Sequence, residues 1–191
     1  MQLTERLRIY PTFEQEEVLW SLSEQCRLIY NFALAQRKKE WTLNNLRDDL
    51  GVFPWGKPYY SVDYKKQQND LPKIKEKYPK YKVVYSKVLQ MTIRTLNADY
   101  NSFFEQRKNG DTNAHPPGFK GKDHFTTMMY NQSGFTIKGQ KISLSHYYND
   151  VPLVFELLRN YNKVYQVNVS QAEGKYYLGI VHEVPEKPYV D

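Results

Sequence analysis

Apolar and polar positions follow two different periods along this chain, and the change between them divides it. Residues 3–9 alternate: Leu3, Leu7 and Ile9 share one parity while Arg6 and Arg8 take the other. That is the pattern of a half-buried strand with a basic outer face, ended by Pro11. Thr12 and Gln15 have the spacing of a capping box. From Phe13 to about Lys39, a helical period carries Val18, Leu19, Leu22, Cys26, Ile29, Phe32 and Ala33. The stretch 41–60 is looser, mixing aromatics with Gly51, Pro54, Gly56 and Pro58, and residues 61–85 read as a short helix followed by a basic loop. Pro72 and Pro79 argue against one continuous helix there. A second long helix is predicted over 86–108, with Leu89, Ile93, Leu96, Tyr100 and Phe103 as its buried stripe and Asn109-Gly110 as its stop.

After Gly110 the helical period ends. His115-Pro116-Pro117-Gly118 is a turn cluster, and strand-like runs follow at 125–130, 135–137, 141–144, 153–156, 164–170 and 176–183. Lys138-Gly139-Gln140 and Glu173-Gly174 each join a pair of these runs, which makes them hairpin signals. The expected fold is α+β: a small antiparallel β-barrel, which the strand at 3–9 joins, with a helical bundle inserted into it. The expected boundaries are 1–12 plus 111–191 for the barrel and 13–110 for the inserted helices.

Composition narrows the chemistry. The chain has 17 Tyr, and 27 Lys plus Arg against 21 Asp plus Glu, a net charge of +6. Planar rings beside cations suit a polyanion with stackable bases. The single cysteine, Cys26, excludes an internal disulfide and a multi-Cys zinc site. No apolar run has the length of a membrane span and the N-terminus lacks the apolar core of a signal peptide, so a cytoplasmic protein with no membrane partner is expected. None of His115, His124, His146 and His182 stands at ligand spacing from another His or Cys, and Asp48-Asp49 point apart on a helix. There is no Gly-rich phosphate loop and no nucleophile elbow. No catalytic residue, metal or cofactor is therefore expected.

Binding features are better defined. Arg27, Asn31 and Gln36-Arg37 flank the apolar stripe of the first helix, with Tyr30 among them. Ser86, Lys87, Gln90 and Arg94 open the second, with Gln90 and Arg94 four apart on one face, where side chains can read base edges or grip phosphates. Pro116-Pro117-Gly118-Phe119-Lys120-Gly121-Lys122 is a rigid basic loop suited to a phosphate chain. Lysines at 65, 66, 73, 75, 77, 80 and 82 interleave with Tyr64, Tyr78, Tyr81 and Tyr85. The plain alternatives are solvated helix charges, a rim tyrosine and a connector loop.

Taken in order, these stretches resemble the N-terminal half of TnpB, the OrfB-type protein of insertion sequences, related to miniature type V CRISPR effectors. The residues that carry the likeness are Arg8-Ile9-Tyr10-Pro11-Thr12, Arg27-Leu28-Ile29-Tyr30-Asn31-Phe32-Ala33-Leu34, Ser86-Lys87-Val88-Leu89-Gln90, Ala98-Asp99-Tyr100-Asn101-Ser102-Phe103-Phe104, Pro117-Gly118-Phe119-Lys120, Asn131-Gln132-Ser133-Gly134-Phe135 and Gly174-Lys175-Tyr176-Tyr177. The resemblance implies a wedge-type barrel with an inserted recognition domain. It also implies two partners, a structured guide RNA and double-stranded DNA bearing a short target-adjacent motif. By position, Ser86, Gln90 and Asn131 fall where the family contacts that motif. Arg8, Arg27, Arg37, Lys87, Arg94, Lys120 and Lys122 are the expected backbone contacts. The RuvC-like nuclease half and the zinc segment are expected to be missing from this chain, so no cleavage by it alone is expected. A helix-turn-helix-like accessory protein or repressor of a transposable element, working without RNA, is the other reading.

Overall fold

The polar turn at Thr12 sets the first boundary. Its N–H donates to Gln15 Oε1 at 3.0 Å and its Oγ1 accepts from the Gln15 N–H at 3.2 Å, the reciprocal cap the spacing predicts. The computed structural model describes residues 1–49, 62–148 and 150–185. Within them, strand β1 (Gln2–Ile9) leads into helix α1 (Phe13–Asp49), and α2 (Tyr64–Lys77) and α3 (Ser86–Lys108) follow, with a 3-10 turn at Pro79–Val83 between them. Then come β2 (Met128–Asn131), β3 (Phe135–Lys138), β4 (Lys141–Leu144), β5 (Leu153–Glu156), β6 (Val164–Ala172) and β7 (Lys175–Glu183).

β1 pairs antiparallel with β7, Leu7 opposite Leu178, so a strand separated from the rest by the helices does join the late sheet. The hairpin β6–β7 turns on Glu173 and Gly174, both at positive φ (52° and 74°), the geometry of a tight primed turn. Gly110 closes α3 at φ 89°, as its place after Asn109 predicts.

Two sequence expectations are corrected. The strands do not form a closed barrel among the described residues: they make a four-stranded sheet, β1-β7-β6-β2, and a three-stranded sheet, β3-β4-β5. The break falls between β2 and β3, where the chain turns over Asn131–Gly134 instead of pairing. Helix α1 runs ten residues past Lys39, through a stretch that carries neither Gly nor Pro before Gly51. As expected, residues 62–85 are not one continuous helix: α2 ends at Lys77 and Pro79 opens the 3-10 turn, while Pro72 sits inside α2, exposed on its surface, where the missing N–H costs one bond to the Gln68 carbonyl but no core contact. Most of the loose stretch at 41–60, and Asp191 with the residues before it, lie outside the described residues, as do the side chains of Asp48 and Asp49.

One core joins helices to sheet. Leu19, Leu22 and Ile29 of α1, Val88, Leu89 and Ile93 of α3, and Val167, Val169, Leu178 and Ile180 of the four-stranded sheet belong to the same buried cluster. Ser23, fully buried, fixes the approach: its Oγ donates to the Thr126 carbonyl at 3.0 Å and accepts from the Thr126 N–H at 2.6 Å. That is why residues 125–127, which alternate like a strand, are held against α1 and β2 begins only at Met128. Cys26 lies in this core, where burial pushes its thiol up to about 12. Phe32, counted with the apolar stripe by its period, is instead 39% exposed.

Candidate nucleic-acid interface

Two places gather the polar residues singled out by the sequence. The first lies where α2 meets the start of α3. Ser86 is the first residue of α3 and Gln90 follows one turn later. They share a cleft of about 290 Å³ with Gln68, Asn69, Pro72 and Lys75. Gln68 Nε2 donates to Gln90 Oε1 at 3.2 Å, and the Lys75 ammonium donates to Ser86 Oγ. Burial holds the Lys75 pKa below its ordinary value. Pro72 leaves the Gln68 carbonyl without its helical donor on the same wall.

Asn131, at the end of β2, is tied to the start of α3 through Ser133. Lys87 donates to Ser133 Oγ at 2.6 Å, and Ser133 Oγ donates to Asn131 Oδ1 at 3.2 Å. The turn itself is tied by the Gly134 N–H to the Asn131 carbonyl at 2.8 Å. Gly134 is required there: a Cβ would stand 2.9 Å from the Tyr130 ring and 3.3 Å from the Tyr85 ring. Tyr85 immediately precedes α3, so the packing of its ring on Gly134 sets the β2–β3 turn beside the helix start. Ser86 and Gln90 therefore share the cleft, while Lys87 and Asn131 are joined to each other through Ser133 and do not line it. Arg94, one turn beyond Gln90, is exposed and has no partner among the described residues.

The second place is the loop after Pro117. The Lys120 N–H donates to Asn31 Oδ1 at 2.8 Å, and the Lys120 carbonyl accepts from Asn31 Nδ2 at 2.9 Å and from Arg27 NH1 at 3.0 Å. Arg27 also grips Glu24 through Nε and NH2, at 2.7 and 2.6 Å, and its side chain is only 11% exposed. The guanidinium holds the Glu24 carboxyl below the usual carboxylate range, and Lys122 and Lys80 add to that pull. Above, the Lys120 ammonium stands 4.5 Å from the Tyr30 ring centroid. Tyr30 donates its hydroxyl to Asp99 Oδ2 at 2.7 Å, and burial pushes its pKa up.

Arg37 is in a similar position to Arg27. Its Nε donates to Gln67 Oε1 at 2.9 Å, its NH2 to Asn97 Oδ1 at 3.1 Å, and burial lowers its pKa. Both arginines thus have internal acceptors, and they fasten α1 to the Lys120 loop, α2 and α3. Arg8 belongs to neither place: it is exposed on β1, with its guanidinium 4.8 Å from the Tyr10 ring centroid. Lys122 is exposed on the second loop.

The sequence marked Asn31 only as a flank of the first helix's apolar stripe and Lys75 only as part of a basic run, without a role for either. Asn31 carries the loop through both amide atoms, and its spacing of four from Arg27 was the available signal. Lys75 was one lysine among seven in a basic run, and only its inward direction sets it apart. Among the described residues, no three His, Cys, Asp or Glu gather where they would hold a metal ion.

Residues 1–45 match the family model of the IS605 OrfB helix-turn-helix domain. The N-terminal segment of this chain is thus similar to an OrfB/IS605-type domain. The search of curated proteins returned no match. The OrfB-type segment does not itself hold two helices joined by a turn: residues 1–45 comprise β1, the capped turn at Thr12 and an uninterrupted α1. The nearest helix pair is α2 and α3, joined by the 3-10 turn, and α3 presents its first turn to the cleft. No described helix is long and apolar enough to cross a membrane.

Proposed function

We propose that this chain is the nucleic-acid-binding, non-catalytic N-terminal module of a TnpB-like, RNA-guided transposon protein, holding guide RNA and the target-adjacent DNA motif. The observation that carries the reading is the match of residues 1–45 to a transposon-encoded helix-turn-helix domain. The cleft between α2 and α3 supports it. Amides, a hydroxyl and one desolvated lysine there offer donors and acceptors at the start of a helix, the end that meets base edges in a groove. In this reading Ser86, Gln90 and Asn131 contact the motif. Lys87, Arg94, Lys120, Lys122 and Arg8 neutralise phosphates, while Arg27 and Arg37 hold the elements that present them. The strands would form the wedge-type body around an inserted helical domain at 13–110.

Binding should be strong at low salt and fall steeply as salt rises, for guide-like structured RNA and for duplex DNA together. Absence of binding at low salt, or binding without a salt slope, overturns the proposal. Metal-dependent nicking of DNA by the purified chain would overturn its non-catalytic part.

The description of the matched family as a helix-turn-helix domain favours a second reading, a DNA reader that works without RNA. Competition separates the two. Preference for a short duplex site, unaffected by structured RNA, supports the second; displacement of duplex by RNA, or joint binding, supports the first.

A further inference from the structure

The Lys120 loop is held more firmly than a connector requires, and what it displays is an aromatic ring. Two α1 side chains place three hydrogen bonds on the backbone of Lys120, and the residue before it, Phe119, is 56% exposed. The ring is thus fixed at its base and open to solvent. The ammonium of Lys38 of α1 lies over one face of the ring, 4.6 Å from its centroid, and Lys120 lies over Tyr30 on the same stretch of helix. Gly118, just before the ring, lines a cleft of about 330 Å³ whose other walls include Tyr30, Asp99, Ser102 and Gln106.

We propose that Phe119 is a stacking platform for one unpaired nucleotide of a single-stranded nucleic acid, with Lys38 and Lys120 serving its phosphates and the adjoining cleft receiving its base edge. The inference rests on the nucleic-acid-binding reading above and adds to it a ligand class and a site. The chemistry assigns each end of the ligand. Asp99 repels phosphate but accepts from the amino and imino hydrogens of a base, so the base belongs in the cleft. The two ammonium groups lie by the rings, where the backbone of a stacked nucleotide runs. A flat exposed ring has no use for a protein's aliphatic groups in so charged a setting, whereas every base offers a π-face to it.

The test is an anisotropy titration of the whole chain with a single strand of about 12 nucleotides carrying 2-aminopurine, as RNA and as DNA. The wild type should bind and quench the 2-aminopurine. Phe119→Ala should weaken binding about 5- to 100-fold, the range for one stacked base, and abolish quenching. Its Tm and salt slope should be unchanged, because the ring is exposed and uncharged. Phe119→Trp should restore both binding and quenching. Lys38→Gln should keep quenching but reduce the salt slope by about 0.7. Equal affinity and quenching for Phe119→Ala and wild type overturn the platform while leaving the parent reading intact. Binding to duplex DNA but to neither single strand overturns the platform alone. Binding to no nucleic acid at low salt overturns both.

Discussion

The Lys120 loop and the α2–α3 cleft are built from the same residue types, Arg or Lys with amides and hydroxyls, yet they use them in opposite directions. At the loop, Arg27 and Asn31 are directed at a main-chain N–H and carbonyl, groups that need permanent partners. At the cleft, Gln68 meets Gln90 and Lys75 meets Ser86, side chain to side chain on half-exposed positions. Bonds of the second kind can be exchanged for bonds to a base or phosphate with little net loss, because each partner keeps a donor or acceptor. Bonds of the first kind cannot, since breaking them strands backbone groups. A cation's role here follows from what its donors already hold, not from its presence on a helix face.

That contrast is breakable by substitution. The largest effect is expected at the loop. Asn31→Ala removes two of the three bonds on Lys120 and should lower stability by about 1–3 kcal/mol, seen as a drop of several degrees in Tm by circular dichroism. At the cleft, Gln90→Ala should leave Tm unchanged but weaken binding to the duplex motif by about 1–3 kcal/mol and relax its base preference. Equal Tm losses at both positions would erase the distinction.

The smallest effect concerns acid. The Glu24 carboxyl is held low by Arg27, so its contribution is present at neutral pH and is lost as pH falls below the usual carboxylate range. Since Glu24 is 37% exposed, screening limits that contribution to less than about 1 kcal/mol. Denaturant unfolding at neutral and acid pH should show Glu24→Gln removing this small part of the acid sensitivity.

Local patterns carried much of the fold. The alternation at Leu7 and Ile9, the Thr12–Gln15 cap and the Glu173-Gly174 turn are each decided within a few residues, and each is found where its pattern places it. Whether strands close into a barrel is decided by pairing between strands distant in sequence, which strand count does not encode; here β2 and β3 part at Gly134. The site was legible in the same uneven way. Glu24 three residues before Arg27 is a helix ion-pair spacing that the sequence displays. The partners of Arg37, Gln67 and Asn97, lie 30 and 60 residues away, and nothing local announces them. Lys75 turns inward only because Ser86 packs beside it, a tertiary fact.

In the proposed function the free cations of this chain, and not the fastened ones, meet phosphate. The direct measurement is the slope of log affinity against log salt for one DNA duplex, taken well below each variant's Tm. Arg94→Gln and Lys122→Gln should each reduce the slope by about 0.9, whereas Arg27→Gln should leave it unchanged. A slope in Arg27→Gln that falls as far as in Arg94→Gln, or no slope in the wild type, would contradict the account.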